Sequence, residues 1–195
     1  MAQRDTLQIG DPRLKAKNAV VSDFCDPAIK QLVKDLTDTM RENQLIGMAA
    51  PQIGENYTVF VTEPRETKAR SADQADELRI FINPKIIFFS KERSLIYEGC
   101  GSVCHGQLFG PVIRPKEITV EAYDGTGKEF SFTCDGILAR VIQHEYDHLS
   151  GIEFTEKISD YKKLLSLESY IQTVRNSKET REASHITKKE FSYIS

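Results

Sequence analysis

Apolar residues first recur at helical spacing between Asp26 and Asn43. There Ile29, Leu32, Val33, Leu36 and Met40 follow an Asp26-Pro27 pair suited to a helix cap and first turn. From Thr58 to Thr62 the pattern changes to a strand, and the polar stretch from Glu63 to Glu77 lacks apolar periodicity and reads as an exposed loop. Ile80–Ile82, Lys85–Phe89, Ser94–Tyr97, Glu117–Tyr123 and Glu129–Thr133 are β-rich segments punctuated by Gly, Pro or Asp. Asp124, Gly125 and Gly127 predict a hairpin between the last two. A second helix is expected from about Asp135 to Gly151, with Ile137, Leu138, Val141 and Ile142 as its apolar positions. A third is expected from Asp160 to about Lys178, with the last dozen residues frayed. This order predicts an α+β domain, with antiparallel sheets packed around the Asp135 helix and further helices toward both ends. Residues 1–175 read as one catalytic domain and 176–195 as a polar, flexible tail.

Composition narrows the class. The chain has 195 residues, 39% apolar and 28% charged, long enough to bury a core without disulfide staples. Its four cysteines, Cys25, Cys100, Cys104 and Cys134, are too few for a disulfide scaffold and are available as metal ligands. Apolar runs such as Ile86–Phe89 are far too short to span a membrane, and the charged start of the chain resembles neither a signal nor a transit peptide. The expected location is therefore the cytoplasm, with an organelle as the alternative. The net charge of −3 argues against general nucleic-acid binding, yet residues 157–195 carry eight Lys/Arg and five Asp/Glu. That +3 stretch reads as a solvated face before an anionic-partner site.

The second helix carries His144-Glu145-Tyr146-Asp147-His148, an HExxH pattern. Its two imidazoles lie one turn apart and can hold one metal ion, with Glu145 as general base toward water there. At about 100° per residue, Ile137, Val141, His144 and His148 share one face, so the histidines continue an apolar stripe. Buried imidazoles need partners, and a metal would satisfy both. Three sources of a third ligand compete. An extended HExxHxxGxxH motif fails because its last position is Phe154. Glu168, twenty residues after His148, would give a thermolysin-like peptidase. Cys100, between Gly99 and Gly101, would give a thiolate site.

Three ordered segments bear on that choice: Gly47-Met48-Ala49-Ala50-Pro51-Gln52, Glu98-Gly99-Cys100-Gly101-Ser102 and Gln143-His144-Glu145-Tyr146-Asp147-His148-Leu149. Together they resemble the peptide deformylase family, over a span from Gly10-Asp11-Pro12 to about Phe154. The resemblance implies metal ligands Cys100, His144 and His148, with Glu145 as catalytic acid/base. The Gln52 amide and the Gly101 N–H would be donors to the formyl oxygen. It implies a methionine pocket at Ile46, Gly47, Ile96, Ile137 and Val141. Fe(II) is the usual ion of the family, with zinc, nickel or cobalt able to replace it. The implied substrates are formylmethionyl nascent peptides, met near the ribosome exit, with no membrane or specific nucleic acid as partner.

Two positions depart from the family pattern. Leu45 stands where a glycine is usual, and Gly101 where a bulky apolar residue is usual, which bears on catalytic efficiency and peptide preference. Two non-enzymatic alternatives are a diverged metal-binding relative and a closed structural zinc site of Cys100, Cys104, His144 and His148. In the deformylase reading, Cys104 is instead a small buried hydrophobe, and His105 and His185 are not ligands.

Overall fold

The computed structural model describes residues 4–68 and 70–194. Helix α1, Pro27–Glu42, forms where the periodicity predicts it. The Asp26 carboxylate accepts a 2.8 Å hydrogen bond from the Ala28 N–H, satisfying one of the free donors of the first turn. Strands β1 (Gly47–Ala49), β2 (Val59–Thr62), β3 (Arg79–Phe89), β4 (Arg93–Gly99), β5 (Leu108–Pro115), β6 (Ile118–Tyr123) and β7 (Glu129–Cys134) precede helix α2 (Gly136–Leu149). Strand β8 (Leu165–Ser166), helices α3 (Leu167–Thr173) and α4 (Lys178–Ser184), and strand β9 (Lys189–Tyr193) follow.

One antiparallel sheet has the order β1-β2-β3-β6-β7-β9 and the other β4-β5-β8. Side chains alternate across the larger sheet. Val59, Val61 and Ile82 meet Ile29, Leu32, Leu36 and Met40 of α1 on one face. Phe60, Phe81, Phe130 and Phe132 meet Leu138, Ala139, Val141 and Ile142 of α2 on the other. Helix α2 also bonds to the small sheet, because Arg140 donates to the carbonyls of Ser94 and Val112. The HExxH helix therefore lies between the two sheets, as the sequence predicts.

Four local expectations need correction. The two strand segments around Asn83-Pro84 are one strand, β3, with irregular register on both sides of Ile86. Asn83 takes a left-handed conformation and ties both its amide atoms to the backbone of Val21. The 63–77 segment is not simply an exposed loop, because Glu63 and Gln74 are buried. Glu63 pairs with Arg41 and Arg65, and Gln74 donates to the Arg181 carbonyl.

The expected 160–178 helix is broken into a 3-10 turn at Tyr161–Lys163, strand β8 and helix α3. Ser166 and Ser177 start helices α3 and α4, since their hydroxyls accept from the N–H groups of Ser169 and Thr180. Such side chains compete with the backbone ladder and favour caps over helix interiors. Finally, the expected frayed tail contains β9, paired with β7 from Phe130↔Tyr193 to Cys134↔Lys189. Its exposed Lys-Glu-Phe-Ser-Tyr sequence conceals a strand held by main-chain bonds and by the Phe191 ring on Phe130.

Candidate metal and peptide site

The ligand-capable atoms of Cys100, His144 and His148 all lie within 4.8 Å of one another. Cys100 follows the end of β4, while His144 and His148 project one helical turn apart from α2. His148 Nε2 is 3.3 Å from Cys100 Sγ. His144 Nδ1 is 2.9 Å from a Glu98 carboxylate oxygen, which leaves Nε2 as the ligand atom. One soft sulfur and two imidazole nitrogens form a donor set that suits a divalent transition metal.

Glu98 is the centre of a buried ionic network. Its oxygens accept from Arg114 at 2.7 and 3.0 Å and from Arg140 at 2.9 Å, and Arg114 also reaches Asp147 at 2.6 Å. Burial alone would raise the Glu98 pKa, but the Arg114 charge and the His144 and Arg114 hydrogen bonds outweigh it, so the carboxyl stays well below the ordinary range. His148 has its own carboxylate: Glu153 Oε2 lies 3.7 Å from Nδ1, and both groups are buried. Burial first, then the charges of His144 and Arg114, lowers the His148 pKa and favours the neutral ring that a metal requires.

Glu145 is 3% exposed, and its Oε2 has no hydrogen-bond partner in the described structure. Burial is the largest influence on this carboxyl and pushes its pKa up to about 7, although the His144 charge opposes the rise. A carboxylate poised near neutrality can both take and return a proton. The glycine at position 47 makes its placement possible, since a Cβ there would lie 2.4 Å from Glu145 Oε1 and 2.6 Å from a Val141 methyl. Gln52 is also buried and held in one orientation. Its Oε1 accepts from Ala49 N–H at 2.8 Å, and its Nε2 reaches Cys100 Sγ at 3.4 Å and Ser102 Oγ at 3.3 Å.

A cavity of about 500 Å³ opens over these groups. Ile46, Gly47, Gln52, Ile96, Cys100, Gly101, Ile137, Val141, His144 and Glu145 all line it, while His148 lies deeper, 1% exposed. The structure thus brings together every residue that the family resemblance nominated. Glu168 is not among them: it is exposed at the start of α3, where its carboxylate accepts from Gln172. Cys104 is exposed, with a left-handed backbone, and lies outside the donor cluster, which corrects its reading as a buried residue.

The supporting charges Glu98, Arg114, Arg140 and Glu153 were not among the expected site residues. For Arg140 a signal exists, since it lies one turn before His144 on the buried face of α2, and a charge there demands a counter-charge. Glu98 sits in the cysteine segment, but its burial depends on Arg114 of β5, sixteen residues away.

Comparison with known proteins follows the same geometry. Residues 4–164 match the family described as polypeptide deformylase. A peptide deformylase of Thermomicrobium roseum is 40% identical over 82% of this chain and 88% of its own. That of Treponema pallidum is 37% identical over 83% and 92%. A class I type b peptide deformylase from Acinetobacter baumannii, solved with Met-Ala-Ser bound, superposes with a TM-score of 0.74 at 32% identity. That match covers 80% of this chain and 99% of the other.

Proposed function

The chain belongs to the polypeptide deformylase family, and from that premise we propose how its own residues carry out the reaction. The protein is a peptide deformylase, a metal-dependent hydrolase that removes the formyl group from formylmethionyl peptides. What carries the proposal is the Cys100, His144 and His148 donor cluster beside a buried, unpartnered Glu145 carboxylate. Cys100, His144 and His148 are the ligands, and Fe(II) is the ion proposed in the cell, with zinc, nickel or cobalt as substitutes. When bound, such an ion acts as a Lewis acid and lowers the pKa of water toward about 7.

Glu145 accepts the proton of the water that adds to the formyl carbon, then returns it to the departing amine as the C–N bond breaks. The products are formate and a free methionyl amino group. Charge developing on the formyl oxygen is met by the Gln52 Nε2–H and the Gly101 N–H. Losing one donor of this kind costs roughly 10²–10³ in rate. Gln52 is suited to this task because its amide is already oriented by Ala49 and cannot turn freely. Ile46, Ile96, Ile137 and Val141 receive the methionine side chain, with Gly47 leaving space beside it. Met-Ala-Ser in the Acinetobacter baumannii structure is a peptide of the kind such a site would release.

The proposed working place is the cytoplasm beside the ribosome exit, where nascent chains present their formylated ends. No helix among the described residues is long and apolar enough to cross a membrane. The test is formate release from a formyl-methionyl peptide by anaerobically purified, iron-loaded protein, beside Cys100→Ser and Glu145→Gln. Expected are turnover in the parent, loss of metal and activity in Cys100→Ser, and loss of activity with metal retained in Glu145→Gln. No turnover by the metal-loaded parent would overturn the reading.

A further inference from the structure

The cavity extends past the groups used above. Its outer part is lined by Arg70 from the 63–77 segment and by Leu167, Tyr170, Ile171 and Arg175 from the stretch after residue 164. That stretch lies beyond the part of the chain matched to the family. The two segments hold each other: Gln74 donates to the Arg181 carbonyl, Ile186 N–H donates to the Asp73 carbonyl, and Lys189 pairs with Asp76. Tyr170 stacks on Phe109 with ring centroids 4.1 Å apart and planes 4° apart, which fixes α3 against β5.

Arg70 and Arg175 are both half-buried in this wall, and neither has an ion-pair partner among the described residues. Arg65, by contrast, is paired with Glu63 at 2.9 Å. Arg70 is anchored by one N–H to the Arg65 carbonyl at 3.0 Å, so most of its guanidinium donors remain for another acceptor. Among the described residues, the only acidic side chains lining the cavity are Glu98, saturated by Arg114, Arg140 and His144, and Glu145. The Arg70 pKa is lowered, by burial first and then by the charges of Arg175 and Arg65. Two neighbouring cations on one wall, without an acidic side chain paired to either among the described residues, repel each other, and a carboxylate placed between them would relieve this.

We propose that Arg70 and Arg175 form a carboxylate subsite for the peptide downstream of the formylmethionine, so that substrates with an acidic group there are favoured. The proposal rests on the deformylase reading, since the cavity that joins this wall to Glu145 is taken as the peptide cleft. Its carboxylate has two sources, an acidic side chain or the free C-terminus of a short peptide. The continuity of this wall with the cavity over Cys100 and Glu145 favours a peptide over a nucleic-acid strand as the source of the anion, and a guanidinium can pair with a peptide carboxylate bidentately.

The test compares formyl-Met-Ala-Xaa-amide peptides with Xaa as Glu, Gln or Lys, with the charge also moved to the second and fourth positions. Free-acid formyl-Met-Ala-Ala is set beside its amide. At low salt the preferred acidic peptide is expected to exceed its glutamine counterpart about tenfold in kcat/KM, mainly through KM, with lysine disfavoured. Arg70→Gln/Arg175→Gln is expected to bring that ratio to about one. Arg70→Lys/Arg175→Lys retains most of it, and Lys91→Gln, a charge outside the cavity, leaves it unchanged.

A preference confined to the free acid would assign the pair to a C-terminal carboxylate, and one seen in the amides to a side chain. Calorimetric binding of the unformylated Met-Ala-Glu-amide and Met-Ala-Gln-amide gives a readout independent of turnover. Absence of turnover with all peptides would strike the deformylase reading, while the binding ratio would still judge the subsite. Equal kcat/KM and binding across the charge series, or a preference that survives in the double glutamine variant, would overturn the proposal. So would charge-dependent binding of an RNA oligonucleotide without discrimination among peptides.

Discussion

Leu45 fills the space that a side chain on Gly101 would need: a Cβ at 101 would lie 2.8 Å from Leu45 Cδ1 and 3.6 Å from a Thr6 methyl. The two departures from the family pattern are therefore one exchange of bulk across the cavity wall. Leu45, two positions before Gly47, and Gly101, after Cys100, both line the cavity, the bulk standing at 45 where the resemblance leads one to expect it at 101.

This exchange predicts coupling. Gly101→Leu alone is expected to lower kcat/KM about tenfold and to destabilise by about 1–2 kcal/mol through overpacking. Leu45→Gly alone opens a gap and costs about 2 kcal/mol. In the double variant the losses should fall short of their sum by at least about 1 kcal/mol. Urea denaturation and steady-state kinetics on the four proteins check this; simple additivity would show that the sites act separately.

A second prediction concerns Glu98. Glu98→Gln keeps the shape but removes the charge that faces Arg114, Arg140 and His144. Breaking a buried pair in this way leaves uncompensated charge and is expected to cost about 3–5 kcal/mol. Because the His144 ring loses its carboxylate partner, metal affinity should also drop about 10–100-fold. Chelator competition measures the second effect separately from unfolding. Unchanged metal affinity would mean that Arg114 and Arg140 hold the ring's surroundings without Glu98.

Much of the cavity floor was legible in the sequence because its geometry is local. The i, i+4 spacing of His144 and His148 fixes their relative position on any helix, and Ile137 and Val141 follow from the same periodicity. The outer wall was not legible, because Arg70 and Tyr170 are far apart in sequence and come to one cavity only through long-range pairing of their segments. Strand β9 was concealed for a related reason: its side chains are exposed, so no alternation of buried positions marks it. Serine caps at Ser166 and Ser177 were the available signal that the 160–178 stretch is not one helix.

Asp76 gives a pH prediction. Its side chain is 1% exposed and bonded to Arg79 and, at 2.9 Å, to Lys189 of β9. Burial is the largest single influence and would raise its pKa, but the hydrogen bonds and charges of Arg79 and Lys189 leave it lowered. A depressed folded-state pKa means that the unfolded chain binds the proton more readily. Its contribution is thus complete above the ordinary aspartate value of about 3.9 and is lost as pH falls through the folded value. Asp76→Asn should be about 3 kcal/mol less stable at neutral pH and show a flatter acid limb. Equilibrium unfolding across that range checks both, and an unchanged acid limb would assign the dependence to other carboxylates.

Gly136 ties the HExxH helix to the C-terminal segment. Its φ of +57° is unfavourable for other residues, and a Cβ would lie 2.2 Å from the His185 carbonyl oxygen, an atom of the backbone. The neighbouring Asp135 carboxylate accepts from Thr187 N–H at 2.7 Å and Lys188 N–H at 2.9 Å, so helix start and tail are joined by sterics and hydrogen bonds together. Gly136→Ala cannot relieve its clash by a side-chain rotation; either the helix start or residues 184–188 must move. The tail has the fewer buried contacts and is expected to yield, which raises amide exchange across α4 and β9 while the buried turn around His144 stays protected. Asp135→Ala removes the bonds without adding bulk and should open the same segment to a smaller degree. If Gly136→Ala instead exposed His144 and its neighbours equally, the tail and the helix would belong to one cooperative unit, and the outer wall could not be altered apart from the metal site.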